Sequence, residues 1–166
     1  MNQVSIRQAT KDDLPNLEWN GEYTHFRRLY ADTYLSVQQA KAVMWIAELN
    51  GSGLIGQCFV SLNGNRQELA DGTTRAYIYG FRVQPRYQNQ GIGTLMMQTI
   101  ESDLKQRGFQ QIILNVGQDN HDAKRFYERL QYSIIGVDPG RWSYIDDKGK
   151  RIDVHEPAWR MIKDLY

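Results

Sequence analysis

Apolar residues recur along this chain in two periods, and the switches between them mark out its elements. Val4 to Arg7 alternates apolar and polar positions as a short strand does. Thr10 to Leu14 reads as a helix start, with Asp12 or Asp13 placed to cap it. Phe26, Leu29, Tyr30, Val37 and Ala40 fall at helical spacing and predict a helix from about His25 to Ala42. Met44 to Leu49 and Leu54 to Leu62 are apolar, β-branched or aromatic runs joined through Asn50-Gly51, a hairpin signal. Arg75 to Val83 puts Tyr77, Tyr79, Phe81 and Val83 on one face and Ala76, Ile78 and Gly80 on the other, so both faces are expected to be covered.

After Pro85 the period changes. Ile92, Leu95, Met96, Ile100 and Leu104 form the i, i+3, i+4 stripe of an amphipathic helix, with Gly108 as its expected stop. Ile112 to Val116 is a continuous apolar run, the pattern of a strand buried on both faces. A shorter helix follows from Asp119 or Asn120, with Ala123, Phe126, Tyr127 and Leu130 on one stripe. Tyr132 to Val137 and Trp159 to Ile162 complete the strands, separated by a long polar stretch with a turn at Asp147-Lys148-Gly149. The order βααβββαβαββ predicts a mixed α/β fold, and with no repeat or linker-like tract the expectation is one domain over residues 1–166.

Charge narrows the function classes. Lys and Arg number 20 against 19 Asp and Glu, for a net charge of +1. That excludes the strongly basic signature of a nucleic-acid binder and the composition of a disordered chain. Ten Tyr against five Phe point to a recognition cleft, since a tyrosine offers an apolar ring and a polar tip. Cys58, the single cysteine, lies in an apolar run and reads as a buried small hydrophobe. Neither a signal-like N-terminus nor an apolar stretch of membrane-spanning length occurs, so a cytoplasmic protein without membrane partners is expected.

The chemistry-bearing segment is Val83-Gln84-Pro85-Arg86-Tyr87-Gln88-Asn89-Gln90-Gly91-Ile92-Gly93-Thr94. It sits where a strand gives way to a helix, and unpaired N–H groups and the helix dipole make such a place an anion site. No Lys follows the glycines as a P-loop requires, and Met96 stands where a dinucleotide-binding loop needs its third glycine. Gln88-Asn89-Gln90-Gly91-Ile92-Gly93, with Val83 and Pro85 ahead, instead resembles the pyrophosphate loop of the GCN5-related N-acetyltransferases. Asn120-His121-Asp122-Ala123-Lys124-Arg125-Phe126-Tyr127-Glu128-Arg129-Leu130-Gln131-Tyr132 is similar to that family's second block, without insertion or deletion. The resemblance covers most of the chain. It departs at Asn89 and Gln131, where the family often has Gly, and at Tyr79, where many members carry a Glu that serves as base.

The resemblance implies an acyl-CoA N-acyltransferase fold, a mostly antiparallel sheet flanked by helices, that moves an acetyl group directly from acetyl-CoA to a primary amine. The acceptor would be a small amine, a peptide N-terminus or a lysine, with no metal and no covalent intermediate. Backbone N–H groups of Gln88 to Thr94 would hold the pyrophosphate. The pantetheine would pair with Phe81 to Val83 where the neighbouring strand splays away after Pro85, and an N–H near Arg82 or Val83 would stabilise the oxyanion. Tyr127 matches the family's general acid for the departing thiolate. Asn120 would cap its helix and touch the pantetheine, and Lys124 or Arg125 would reach the 3′-phosphate.

An ammonium has no lone pair, so something must take its proton. A neutral Tyr79 is a poor base, which leaves Glu22, His25, Glu48, Asp119 or water beside Tyr79. His121 and His155 lack metal-ligand spacing and read as surface residues. Acceptor recognition is expected from Trp19, Glu22, Tyr23, His25, Tyr79, Trp142 and Tyr144, while Phe26, Tyr30 and Tyr34 fit the core. Rings beside carboxylates suit a cationic amine. A homodimer fits the family, and the competing reading is a non-catalytic acyl-CoA-binding module.

Overall fold

The computed structural model describes residues 3–166. Strands β1 (Val4–Gln8), β2 (Ala42–Leu49), β3 (Gly53–Ser61), β4 (Arg75–Val83), β5 (Gln111–Gly117), β6 (Ser133–Asp138) and β9 (Ala158–Asp164) form one sheet in the order β1-β2-β3-β4-β5-β9-β6. Within it β4 and β5 pair in parallel, and every other pairing is antiparallel. Helix α1 (Arg27–Gln38) covers one face, where Tyr30 packs with Met44, Ile46 and Phe59. Helices α2 (Ile92–Gln106) and α3 (His121–Arg129) cover the other, where Met96, Met97, Ile100 and Tyr127 meet Val43, Cys58, Ile78 and Leu114. Cys58 is fully buried, as its apolar surroundings predict.

Three elements differ from the periodicity. Residues 11–21 form 3-10 turns rather than an α-helix. Pro15 removes a helical donor there, and Trp19 and Asn20 adopt left-handed angles. Helix α1 accordingly starts at Arg27, after a further 3-10 turn at Thr24–Phe26, and ends at Gln38. The polar stretch after β6 contains a hairpin of its own, β7 (Arg141–Ile145) with β8 (Arg151–His155), around the predicted turn. Its short exposed strands, polar on one face, were hidden by composition.

The third difference positions the site. Gly80 adopts φ +63° inside β4, and the β3–β4 register shifts between Gln57 and Phe59. One extra residue in a strand moves everything beyond it to the other face. Tyr79 therefore packs on the α1 side, but Phe81 and Val83 join the α2/α3 core and Arg82 turns back toward Tyr23 and Tyr30. A simple alternation through Val83 does not occur. A Cβ at Gly80 would stand 2.8 Å from the Phe59 ring. Gly80→Ala is thus expected to lower stability by about 1–3 kcal/mol, measurable as a reduced urea midpoint at unchanged slope.

The β4–β5 pairing runs from Arg75↔Gln111 to Ile78↔Leu114 and stops, while β5 continues along β9 to Gly117↔Ala158. The strands part immediately before the bulge, not after Pro85. Residues 79–83 of β4 are left with an edge unpaired on that side, and the functional cavities open along this wedge.

Candidate active site

Asn89 and Gly91 both take left-handed angles, φ +60° and +83°, ahead of α2. Alternation of this kind turns successive N–H groups toward one point. The first turn of a helix also lacks internal acceptors. The main-chain N–H groups from Asn89 to Thr94 accordingly find no acceptor among the described residues, and the next one, Leu95, bonds the Gly91 carbonyl at 3.0 Å. Gln88 braces the loop by donating its Nε2 to the Val83 carbonyl at 2.9 Å, and Gln90 donates to Arg86 at 3.1 Å. Gln90, and Ile92 with its buried side chain, are not among the residues that line the adjoining cleft. Six unsatisfied donors at a helix N-terminus fit a pyrophosphate.

The loop opens on a cleft of about 790 Å³ that takes in the β4 wedge and α3. Phe81, Arg82, Val83, Gln88, Asn89, Gly91, Gly93, Thr94, Asn120 and Tyr127 line it. A Cβ at Gly93 would stand 3.3 Å from the Phe126 ring, a tight contact, so glycine here favours the close approach of α2 and α3. The Asn120 side chain accepts from the Ala123 N–H at 3.2 Å, so it caps α3 while lining the cleft. Capping fixes the helix phase that sends Tyr127 inward, where its ring lies 6.5 Å from Phe81 and it is 9% exposed. Burial, with smaller contributions from Cys58 and Tyr77, pushes the Tyr127 hydroxyl above the ordinary phenol range. It keeps its proton through neutral pH.

Lys124 stands outside the lining and pairs with Glu128 at 4.0 Å, whereas Arg125 and Arg129 face the cleft. Arg129, one turn beyond Arg125, went unnoticed in the sequence, although the i, i+4 spacing is its signal. Trp19, Glu22 and Tyr23 also line this cleft rather than a separate acceptor pocket.

A second cavity, about 470 Å³, opens on the α1 side of the wedge. Tyr79 and Trp142 line it, together with Phe26, Tyr30, Tyr77, Asn115, Asp138 and Glu156. His25 and Tyr144 line neither cavity. They pack on Phe26 at 4.2 and 4.9 Å and join the first turns to the β7–β8 hairpin as a clasp. Burial raises the Tyr79 hydroxyl above its ordinary range, so it is no base near pH 7. Glu48 is excluded as well, since it pairs with Arg7 at 2.8 Å on the β1 edge of the sheet. Asp119 lines neither cavity, and His121 and His155 are exposed.

Asp138 anchors the wall of this second cavity. It accepts from the Gly140 N–H at 2.8 Å, from Arg66 at 3.1 Å and from Arg160. Burial favours its neutral form, but these donors outweigh burial and hold its pKa at about 2, below the ordinary 3.8. A depressed carboxylate adds stability that is complete above its unfolded pKa and lost as pH falls through the folded one. Asp138→Asn is expected to cost about 2 kcal/mol at pH 7. It should also flatten the stability loss of the native protein below pH 4, in chemical denaturation followed across pH.

A model of the acetyltransferase (GNAT) family matches residues 6–132, which takes in both motif blocks. The chain belongs to that family. It is on that ground an acetyl-CoA-dependent N-acetyltransferase. N-alpha-acetyltransferase 30 of Schizosaccharomyces pombe is 37% identical over 102 residues, 51% of this chain and 68% of that protein. Two solved structures share the fold. Ard1 from Thermoplasma volcanium superposes with a TM-score of 0.74 at 18% identity, covering 98% of each chain. Arabidopsis thaliana NAA60, in complex with acetyl-CoA, does so at 0.73 and 17%, again over 98% of each. The GNAT sheet accounts for the mostly antiparallel arrangement and for the single parallel pair that opens into the wedge. Among the described residues no helix is long and apolar enough to cross a membrane.

Proposed function

We propose that this GNAT member transfers the acetyl group to the primary amine of a small molecule or peptide, with the two cavities dividing the work. The first cleft holds acetyl-CoA, its pyrophosphate on the N–H groups of Asn89 to Thr94 and its pantetheine along the free edge of β4. The second admits the amine from the α1 side. The observation that carries this reading is the run of six unsatisfied donors at one end of a cleft whose other end holds a buried, protonated tyrosine.

In the transfer, the amine lone pair forms the new C–N bond and the C–S bond breaks with its electrons on sulfur. Tyr127 donates the proton that sulfur takes up. Its environment resists a phenolate, so the donor is regenerated from the proton that the amine releases. A main-chain N–H at Arg82 or Val83, beside the wedge, stabilises negative charge on the acetyl oxygen. Glu22 at the rim and water beside Tyr79 are the remaining routes for the amine proton.

Thiol release from acetyl-CoA, followed with a panel of amines, tests this directly. Amine-dependent release with an acetylated product is expected. Tight CoA binding with no amine-dependent release would replace the enzyme by a binding module.

A further inference from the structure

We infer that the acceptor carries a carboxylate close to its amine and that the Arg82 guanidinium receives it. This deepens the amine acetylation proposed above and rests on it. Arg82 is the one residue that lines both cavities, so its side chain stands at the junction where acetyl donor and acceptor must meet. Its guanidinium lies 4.1 Å from the centre of the Tyr23 ring and 5.3 Å from that of Phe26, and it donates to the Tyr30 hydroxyl at 3.2 Å. Two rings and a phenol fix its plane. It makes no ion pair among the described residues.

The rest of the second cavity leans the same way. Arg66 is committed to Asp138 and Glu68, and Asp138 is further matched by Arg160. Arg141 lines the cavity with no ion pair. Among the described residues, Glu156 is the one lining carboxylate without a basic partner, set against the guanidiniums of Arg82 and Arg141, which make no ion pair there. The faces of Tyr23 and Phe26, at the junction of the two cavities, are taken by the protein's own cation. A polyamine would therefore meet charge repulsion where a carboxylate meets a planar, preoriented fork of donors. The bulge at Gly80 makes this possible, because without it Arg82 would point into the α2/α3 core.

The carboxylate has two sources, the main-chain acid of a free amino acid and the side chain of an acidic N-terminal residue. The test compares free glutamate with Glu-led, Gln-led and Lys-led tetrapeptide amides and with spermidine, each as acceptor with acetyl-CoA. If the side chain is the source, the Glu-led peptide is expected to exceed its Gln-led counterpart in kcat/KM by about tenfold, the worth of one charge-assisted bond, and if the main-chain acid is the source, free glutamate is expected to exceed both by a similar factor. Preference for free glutamate over the Glu-led amide assigns the main-chain acid, and the reverse assigns the side chain. Arg82→Gln should erase whichever of these preferences the native protein shows, while Arg82→Lys keeps part of it. Circular dichroism checks that both variants fold.

A titration of the CoA-loaded protein with the N-acetylated peptides reads the same preference without turnover. The acidic product should bind about tenfold tighter than the neutral one and lose that margin in high salt. Preference for the Lys-led peptide or spermidine, or an equal loss for every acceptor in Arg82→Gln, would overturn the inference while leaving amine acetylation intact. Acidic preference in binding with no acetylation of any amine would keep the inference and remove the acetylation reading.

Discussion

Gly91→Val is expected to weaken CoA binding by at least about 100-fold, or roughly 2.7 kcal/mol. Two effects act together at this position. A side chain there projects into open space, since no atom beyond its two chain neighbours lies within 4 Å of the added Cβ, and that space adjoins the donors of the loop. Valine would hold a phosphate away from the N–H groups without clashing with the protein itself. The position also requires φ +83°, which a β-branched residue resists. Gly91→Ala separates the effects, because it keeps most of the backbone strain and adds little bulk. At about 100 times the dissociation constant, CoA should stabilise the native protein by about 2.7 kcal/mol. The valine variant at the same concentration should show almost no shift on melting. An undiminished shift would show that the loop does not hold the pyrophosphate.

Tyr127→Phe should lower kcat by about 100-fold or more, the usual worth of a positioned proton donor, and leave CoA affinity within about twofold. The ring fills a hydrophobic site among Phe81, Phe126 and Tyr132 that phenylalanine fills equally well. Loss of the hydroxyl removes the proton donor and little else. Because burial raises the hydroxyl pKa above the ordinary phenol value, native activity should show no loss from Tyr127 ionisation between pH 7 and about 9.5. Stopped-flow turnover with saturating amine, beside a CoA titration, separates chemistry from binding. Equal kcat for the two proteins would remove Tyr127 from the mechanism.

Both predictions concern residues that were legible in the sequence. The loop announced itself through glycine spacing at a change of period, and Tyr127 through its place on a stripe closed by a capping Asn120. The sheet was readable for the same reason, since a strand buried on one or both faces leaves its period in the residues. What could not be read depends on a single backbone angle. Gly80 fits a regular strand or a bulge equally well, and the choice decides whether Phe81 or Arg82 faces the α1 side.

The aromatic residues divide along the same line. Tyr30 is core, as its helical spacing predicts. Tyr23, though, serves Arg82 as a stacking platform and lines the first cleft, and His25 and Tyr144 are spent on the clasp. The hairpin that carries Trp142 was hidden because short, exposed strands with charged neighbours resemble a polar loop in composition.

The measurement that tests the account most directly is a crystal structure of the protein with CoA bound. It should place the pyrophosphate oxygens within hydrogen-bond distance of the main-chain N–H groups between Asn89 and Thr94, and the thiol within about 3.5 Å of the Tyr127 hydroxyl. Pyrophosphate bound elsewhere, or a thiol far from Tyr127 with the β4 edge unoccupied, would contradict it.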